Sequence, residues 1–185
     1  MLYLASKSPR RKELLEQLRV QFKVLEISID ETRDGEENPG DFVVNLALEK
    51  ARTGKKLVQK GDCVLGSDTE VVLDGRILGK PIDKEHAVNM LGQLSGRTHY
   101  VFSSVAVVHD TERTALNISR VSFKLLTPEE CRNYCRRGES LDKAGAYAIQ
   151  GRAAAFITRL DGSYSGVMGL PLIETAELLN KMIEV

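Results

Sequence analysis

Residues 63–81 read CVLGSDTEVVLDGRILGKP, and the Asp74-Gly75 pair within them limits the fold more than any other short stretch of the chain. Asp-Gly is a leading signature of a two-residue hairpin turn, because both central positions need φ > 0. The apolar run that starts at Cys63 and the return run that ends at Lys80-Pro81 are therefore expected to be antiparallel strands. One acid, Asp68, interrupts the first run before the valines resume. An unpaired buried carboxylate is costly, and it normally shifts its pKa or finds a cation or metal. Either Asp68 is kept for chemistry, or the face it occupies is wet.

Strands and helices alternate around that hairpin. LYLAS reads as a short strand, followed by a helix over SPRRKELLEQL with Ser8 as N-cap, Pro9 at the first helical position and Leu14, Leu15 and Leu18 at helical spacing. QFKVLEIS reads as a second strand, and the acidic loop IDETRDGEENPGD opens onto a helix near Asp41 with Phe42, Leu46 and Ala51 inward. A helix is predicted from about Asp83 to Leu94, stopping at Ser95-Gly96. HYVFSSVAVVHD and ALNISRVSFKLL form a second antiparallel strand pair, and Thr127, Pro128 and Glu130 begin a helix with a capping box. AAAFITRL is expected as the last strand, and PLIETAELLNKMI as a terminal helix begun by Pro171. This order predicts an α/β fold with an elongated mixed β-sheet and flanking helices. No linker divides the chain, so residues 1–185 are expected to be a single domain, long enough for one well-buried core or two lobes sharing one sheet.

Charge and composition then exclude partners. Lys plus Arg and Asp plus Glu both number 26, so there is no broad electrostatic footprint for a nucleic-acid backbone. Tryptophan is absent and aromatics are only 5%, so base-stacking platforms are poorly supplied; no polynucleotide partner is expected. No apolar run approaches the roughly 20 residues that span a bilayer, so no membrane partner is expected. The cysteines are odd in number and form no Cys-x-x-Cys pair. They read as packing or surface thiols in a reducing, cytoplasmic setting, with neither disulfide framework nor zinc site. His86, His99 and His109 lack metal-ligand spacing and read as ordinary side chains.

Three places break the bland pattern. Arg10, Arg11 and Lys12 fill a first helical turn, where the helix dipole favours acids. Beside free backbone N–H groups they make a natural phosphate pocket, or else a solvated basic patch paired with Glu13 or Glu16. Asp30 and Glu31 lie in a loop that is either solvated or offers carboxylates to a hard cation. LDKAGAYAIQG combines small residues, which let a ligand approach the backbone, with the Gln150 amide, which offers both donor and acceptor to a base edge; a tightly packed turn is the alternative.

In order along the chain, LASKSPRR, the acidic DE, LALEKA, GSDTEVVLDGRILGKP, SGRTHYVFSSVAV, LDKAGAYAIQG and GSYSGVMGLPL resemble the Maf family of nucleoside triphosphate pyrophosphatases over essentially the whole chain. The resemblance implies a fold of the inosine-triphosphate pyrophosphatase type, with two lobes around a cleft. It implies hydrolysis of a nucleoside triphosphate to the monophosphate and pyrophosphate with a divalent cation, Mg²⁺ or Mn²⁺, and it suggests a homodimer. Carried over by position, the general base falls on Asp68 and the specificity positions on Arg10, Thr69 and Gln150, a set similar to the branch acting on dTTP and UTP. The branch acting on 7-methyl-GTP has tryptophan, glutamine and glutamate there. Ala148, where glycine is common, and GSYSG depart from the usual pattern and bear on fine substrate preference.

In the mechanism this suggests, Ser8, Arg11, Lys50 and Lys80 cradle phosphates, Asp68 takes a proton from water or holds the metal, and Glu31 is a further metal ligand. Strict strand alternation puts Thr69 on the face opposite Asp68, so a bulge near Gly66-Ser67 or a site at a sheet edge is expected; in a regular strand Thr69 acts indirectly. The rival reading is a nucleotide-sensing regulator of cell division and septum formation in which hydrolysis is secondary.

Overall fold

The computed structural model describes residues 1–31 and 37–183, leaving out the side chains of 182 and 183. Strand β1 (Leu2–Ala5) leads to Ser8, which caps helix α1 (Pro9–Gln17) with Pro9 in its first turn. β2 (Phe22–Leu25) follows in parallel beside β1. The middle of the acidic loop, 32–36, lies outside the described residues. Helix α2 (Pro39–Lys55) begins slightly before the expected Asp41, because Asn38 caps it by accepting a hydrogen bond from the Gly40 N–H. Its Phe42, Leu46 and Ala51 are buried, as their spacing predicts.

β3 (Cys63–Leu73) and β4 (Arg76–Ile77) form the expected hairpin. Asp74 and Gly75 have φ of 51° and 75°, the paired positive values that an Asp-Gly turn supplies. Helix α3 (Lys84–Leu94), strands β5 (Thr98–Val108) and β6 (Glu112–Phe123) and helix α4 (Pro128–Arg136) follow, the last opened by a reciprocal Thr127–Glu130 capping box. Then come β7 (Ile157–Asp161), the short α5 (Tyr164–Met168) and α6 (Leu172–Ile183). Three details differ from the sequence reading: the return strand of the hairpin stops at Ile77, short of the expected Lys80, and two more lie near the C-terminal end. Arg152–Phe156 forms a 3₁₀ turn, so only the second half of AAAFITRL is strand, and α5 was not anticipated. Ala153 and Ala154 lie within a turn closed by Ala154 N–H on Gly151 C=O, and the alanines lack the β-branched side chains that favour a strand.

Among the described residues the strands make one seven-stranded sheet in the order β2-β1-β3-β5-β6-β7, with β4 also paired to β3. β1 is parallel to β2 and β3, whereas the pairs β3–β5, β5–β6 and β6–β7 are antiparallel, which makes the sheet mixed. One face is covered by α2, whose Ala47 and Ala51 pack on Ala106 and Val108. The other carries two cores. Leu14 and Leu15 of α1 meet Leu65, Val105 and Leu178 in one. Met90, Leu91, Val101, Tyr134 and Tyr147 lie in the other. Cys131 and Cys135 are buried in this second core, and all three thiols are free, in keeping with a packing role.

The edge of β3 decides where a site can form. β1 pairs with it only at Cys63–Leu65, and β4 only at Val72 and Leu73. Between them, from Gly66 to Glu70, no strand pairs with that edge among the described residues. The opposite edge pairs with β5 without a register shift from Val64↔Val108 to Val72↔Tyr100. The bulge near Gly66-Ser67 is therefore absent, and the open edge is present instead.

Candidate active site

Ser8, Arg10, Arg11, Asp30, Glu31, Lys50, Asp68, Thr69, Lys80 and Gln150 all line one cleft of about 590 Å³ at that open edge, whereas Lys12 lies outside it and pairs with Glu16 at 3.8 Å. Asp68 points to the α2 side, as its pairing opposite Ser104 and its contact with Lys50 require. Thr69 points to the other side, where its Oγ1 lies 2.9 Å from Ser103 Oγ. Both still line the cleft, because the cleft wraps around a strand edge that nothing covers.

Lys50 is the hub. Its Nζ lies 2.7 Å from Asp68 Oδ1 and 2.7 Å from Glu31 Oε1, and Glu31 Oε2 reaches Lys80 Nζ at 3.1 Å. Lys50 and Asp68 are 8% and 5% exposed, so this ion pair is held away from bulk water. Burial opposes ionisation of Glu31, but hydrogen bonds and charge from Lys50 and then Lys80 outweigh it and hold the carboxyl at about 2. Both Glu31 oxygens are thus engaged by lysines.

Sequence distant from the hairpin fixes the basic arm of the cleft. Ser8 Oγ accepts the Arg11 N–H at 3.5 Å, at the long end of a cap bond. Arg11 Nε donates to Gly169 C=O at 2.8 Å, and Ser67 Oγ donates to the same oxygen at 3.0 Å, so the loop before α6 ties α1 to β3. Burial lowers the Arg11 pKa while Asp68 and Glu31 raise it. A guanidinium stays charged through such shifts. Arg10 is partly buried on the same turn.

The opposite wall is the Lys143–Gln150 loop. Gly145 has φ +67 and approaches Val71 so closely that a Cβ would come within 2.8 Å of it, and its N–H donates to Gly79 C=O at 2.8 Å. Only glycine satisfies both demands. Tyr147 OH is 2.8 Å from His99 Nε2, and burial holds that imidazole down at about 4, hence neutral. Ala148 N–H donates to Tyr134 OH at 3.0 Å, and Arg152 N–H to Glu139 Oε2 at 3.1 Å. The loop is thus pinned on both sides of Gln150, whose side chain is exposed to the cleft. Replacing Tyr134 with Phe strands the buried Ala148 N–H. The expected cost is about 1–3 kcal/mol, measured by denaturant unfolding; unchanged stability would show that the bond adds nothing.

Glu70 is the cleft residue that sequence reasoning missed. It lies on the same strand face as Asp68, a relation that period-two alternation makes visible. Burial first, and then the charge of Asp68, push its carboxyl up to about 8, with Lys80 pulling the other way. Asp68 Oδ2 and Glu70 Oε2 are buried and have no hydrogen-bond partner. Among the described residues no three His, Cys, Asp or Glu side chains converge as a ready metal cage. Mg²⁺ does not need one, since it is commonly held by one or two carboxylates plus phosphate and water. The two orphan oxygens fit that chemistry.

An open-edged mixed sheet whose cleft sets buried carboxylates against Arg11, Lys50 and Lys80 defines a class: an α/β protein built to receive a strongly anionic ligand. Among solved structures, the Staphylococcus aureus Ham1 protein shares the fold, at TM-score 0.50 and 12% sequence identity, over 99% of this chain and 97% of that one. The family model described as Maf-like protein matches residues 1–182. A dTTP/UTP pyrophosphatase of Alkalilimnicola ehrlichii is 50% identical over 185 residues, covering 97% of this chain and 92% of its own. Another dTTP/UTP pyrophosphatase, from Xanthomonas axonopodis pv. citri, is 52% identical over 184 residues and 97% of each chain. The chain belongs to the Maf family. No helix among the described residues is long and apolar enough to cross a membrane.

Proposed function

We propose that this protein is a nucleoside triphosphate pyrophosphatase that converts dTTP and UTP to the monophosphate and pyrophosphate. The observation that carries the reading is Asp68: it is buried at an open sheet edge, fixed by Lys50 through one oxygen, and free at the other. Its free oxygen accepts a proton from a water placed in line with the α–β phosphoanhydride. Lys50 keeps the carboxylate in place through the other oxygen. Arg10, Arg11, Lys80 and the backbone N–H groups after Ser8 neutralise the phosphate tail, and Lys50 adds to them as Glu31 yields. When bound, Mg²⁺ or Mn²⁺ would supply further charge neutralisation and acidify a water; Glu31, once released by its lysines, and Asp68, as the alternative to its role as base, are the carboxylates expected from the sequence to hold it. Gln150 reads the base edge from the rim, and Thr69, tied to Ser103, supports that wall. The relatives named pyrophosphatases favour turnover over a nucleotide sensor in which hydrolysis is incidental.

The test is product analysis with dTTP, UTP, GTP and 7-methyl-GTP in Mg²⁺ or Mn²⁺. Pyrophosphate should appear from dTTP and UTP. Release of orthophosphate in its place would overturn the bond assignment. Arg10→Trp, Thr69→Gln and Gln150→Glu combined should move kcat/KM away from the pyrimidines by at least tenfold; an unchanged profile would discard the specificity assignment.

A further inference from the structure

We infer that Glu70 is a protein ligand of the divalent cation that accompanies the triphosphate, standing beside Asp68 on one face of β3. The inference rests on the pyrophosphatase reading above and deepens it.

Positions 68 and 70 share a strand face, and both line the cleft. Asp68 is 5% exposed, has one oxygen taken by Lys50 at 2.7 Å and keeps the other buried without a partner. Glu70 likewise keeps a buried oxygen without a partner. The nearby lysines do not fill the gap: Lys50 is committed to Asp68 and Glu31, and Lys80 to Glu31. Two orphan carboxylate oxygens on adjacent same-face positions are a liability for the folded chain alone. A dication held at Glu70 removes that liability, because it satisfies the Glu70 oxygen and its charge offsets the neighbouring Asp68 carboxylate.

Division of labour points the same way. Asp68 has a single free oxygen, and one oxygen cannot serve fully both as cation ligand and as proton acceptor. Both Glu31 oxygens sit on lysines. Glu70 supplies the missing donor from a strand braced on its paired edge by β5, the kind of rigid element that holds a ligand in place. A neutral side chain at position 70 would leave the cation without it.

The test is Mn²⁺ binding by the full chain, read by electron paramagnetic resonance in the presence of α,β-imido-dUTP, which presents phosphates that are not cleaved. Glu70→Gln should weaken Mn²⁺ binding at least tenfold, while binding of the analogue in chelator stays within twofold of the parent. Glu70→Asp, which keeps the charge, should recover part of the loss. The melting temperature of Glu70→Gln should hold within 2 °C, since the amide keeps the shape of the side chain. Glu70→Leu is the second variant and should lose the cation equally. Mn²⁺ affinity within twofold of the parent in either folded neutral variant would overturn the inference. Failure of the pyrophosphatase reading would show separately, as a parent protein that releases no pyrophosphate from any nucleotide whatever its Mn²⁺ data.

Discussion

Asp68→Asn is expected to lower kcat about a thousandfold while the protein remains folded and still binds nucleotide. Asparagine keeps the shape of the side chain and its contact with Lys50, but its amide cannot take a proton from water. Removing one partner of a buried ion pair often costs about 3–5 kcal/mol. Here Lys50 keeps Glu31 at 2.7 Å, so its charge is not stranded and the fold should survive. Replacing the carboxylate also removes a negative charge from a pocket that receives phosphates, so KM should stay level or fall. The loss therefore belongs to kcat, the pattern of a group that acts only in the transition state. Steady-state kinetics on dTTP, with a melting curve on the same samples, separates the two effects. A kcat within tenfold of the parent would place the base elsewhere.

The same pair of carboxylates shows how far a sequence can be read. Local chemistry is transparent: Ser8-Pro9 opens α1, Asp74-Gly75 turns the hairpin, and Thr127 with Glu130 caps α4. Each of these signals acts within a few residues. The basic first turn of α1 also stood out, because it violates the dipole preference and so asked for an anion. Asp68, an acid inside an apolar strand, stood out for the same kind of reason. The roles of Lys50 and Thr69 were legible only beside the family resemblance, and Gln150 stood out earlier only as an amide able to read a base edge, since a lysine on a helix or a glutamine after a small-residue run has many innocent explanations.

What was hidden depends on pairing across long stretches of chain. The cleft exists because β1 stops at Ala5 and β4 is only Arg76–Ile77, so that Gly66–Glu70 is left open. Neither strand length follows from the sequence of β3. Thr69 could not be reconciled with Asp68 until that edge was seen, because alternation alone sends them to opposite faces. Arg11 is anchored on the Gly169 carbonyl, a partner that carries no side-chain signal at all. Glu70 had a signal, the same-face relation to Asp68, but a second acid in a strand reads as a solvent face until its burial is known.

The second large effect is expected at Gly66, where packing and chemistry meet. A Cβ built there would come within 2.2 Å of Ala47 C=O and 2.7 Å of Ala51 N. Both are backbone atoms of α2, so no side chain can rotate away and the helix itself must move off the sheet. Gly66→Ala should therefore destabilise by about 3 kcal/mol, the upper end of ordinary overpacking, a fall in Tm of roughly 6–12 °C for a chain of this size. The helix that moves carries Lys50, which holds Asp68, so turnover should fall about a hundredfold even at temperatures where the variant is folded. Gly92→Ala is the control. Gly92 lies exposed in α3 with nothing within 4 Å of its built Cβ, and alanine there should stabilise by roughly 0.5–1 kcal/mol. The same chemical change thus has opposite signs at two positions, and differential scanning calorimetry reads both. A Gly66→Ala protein that melts within 2 °C of the parent, with full activity, would mean that α2 need not sit so close to β3, and the placement of Lys50 against Asp68 would lose its structural cause.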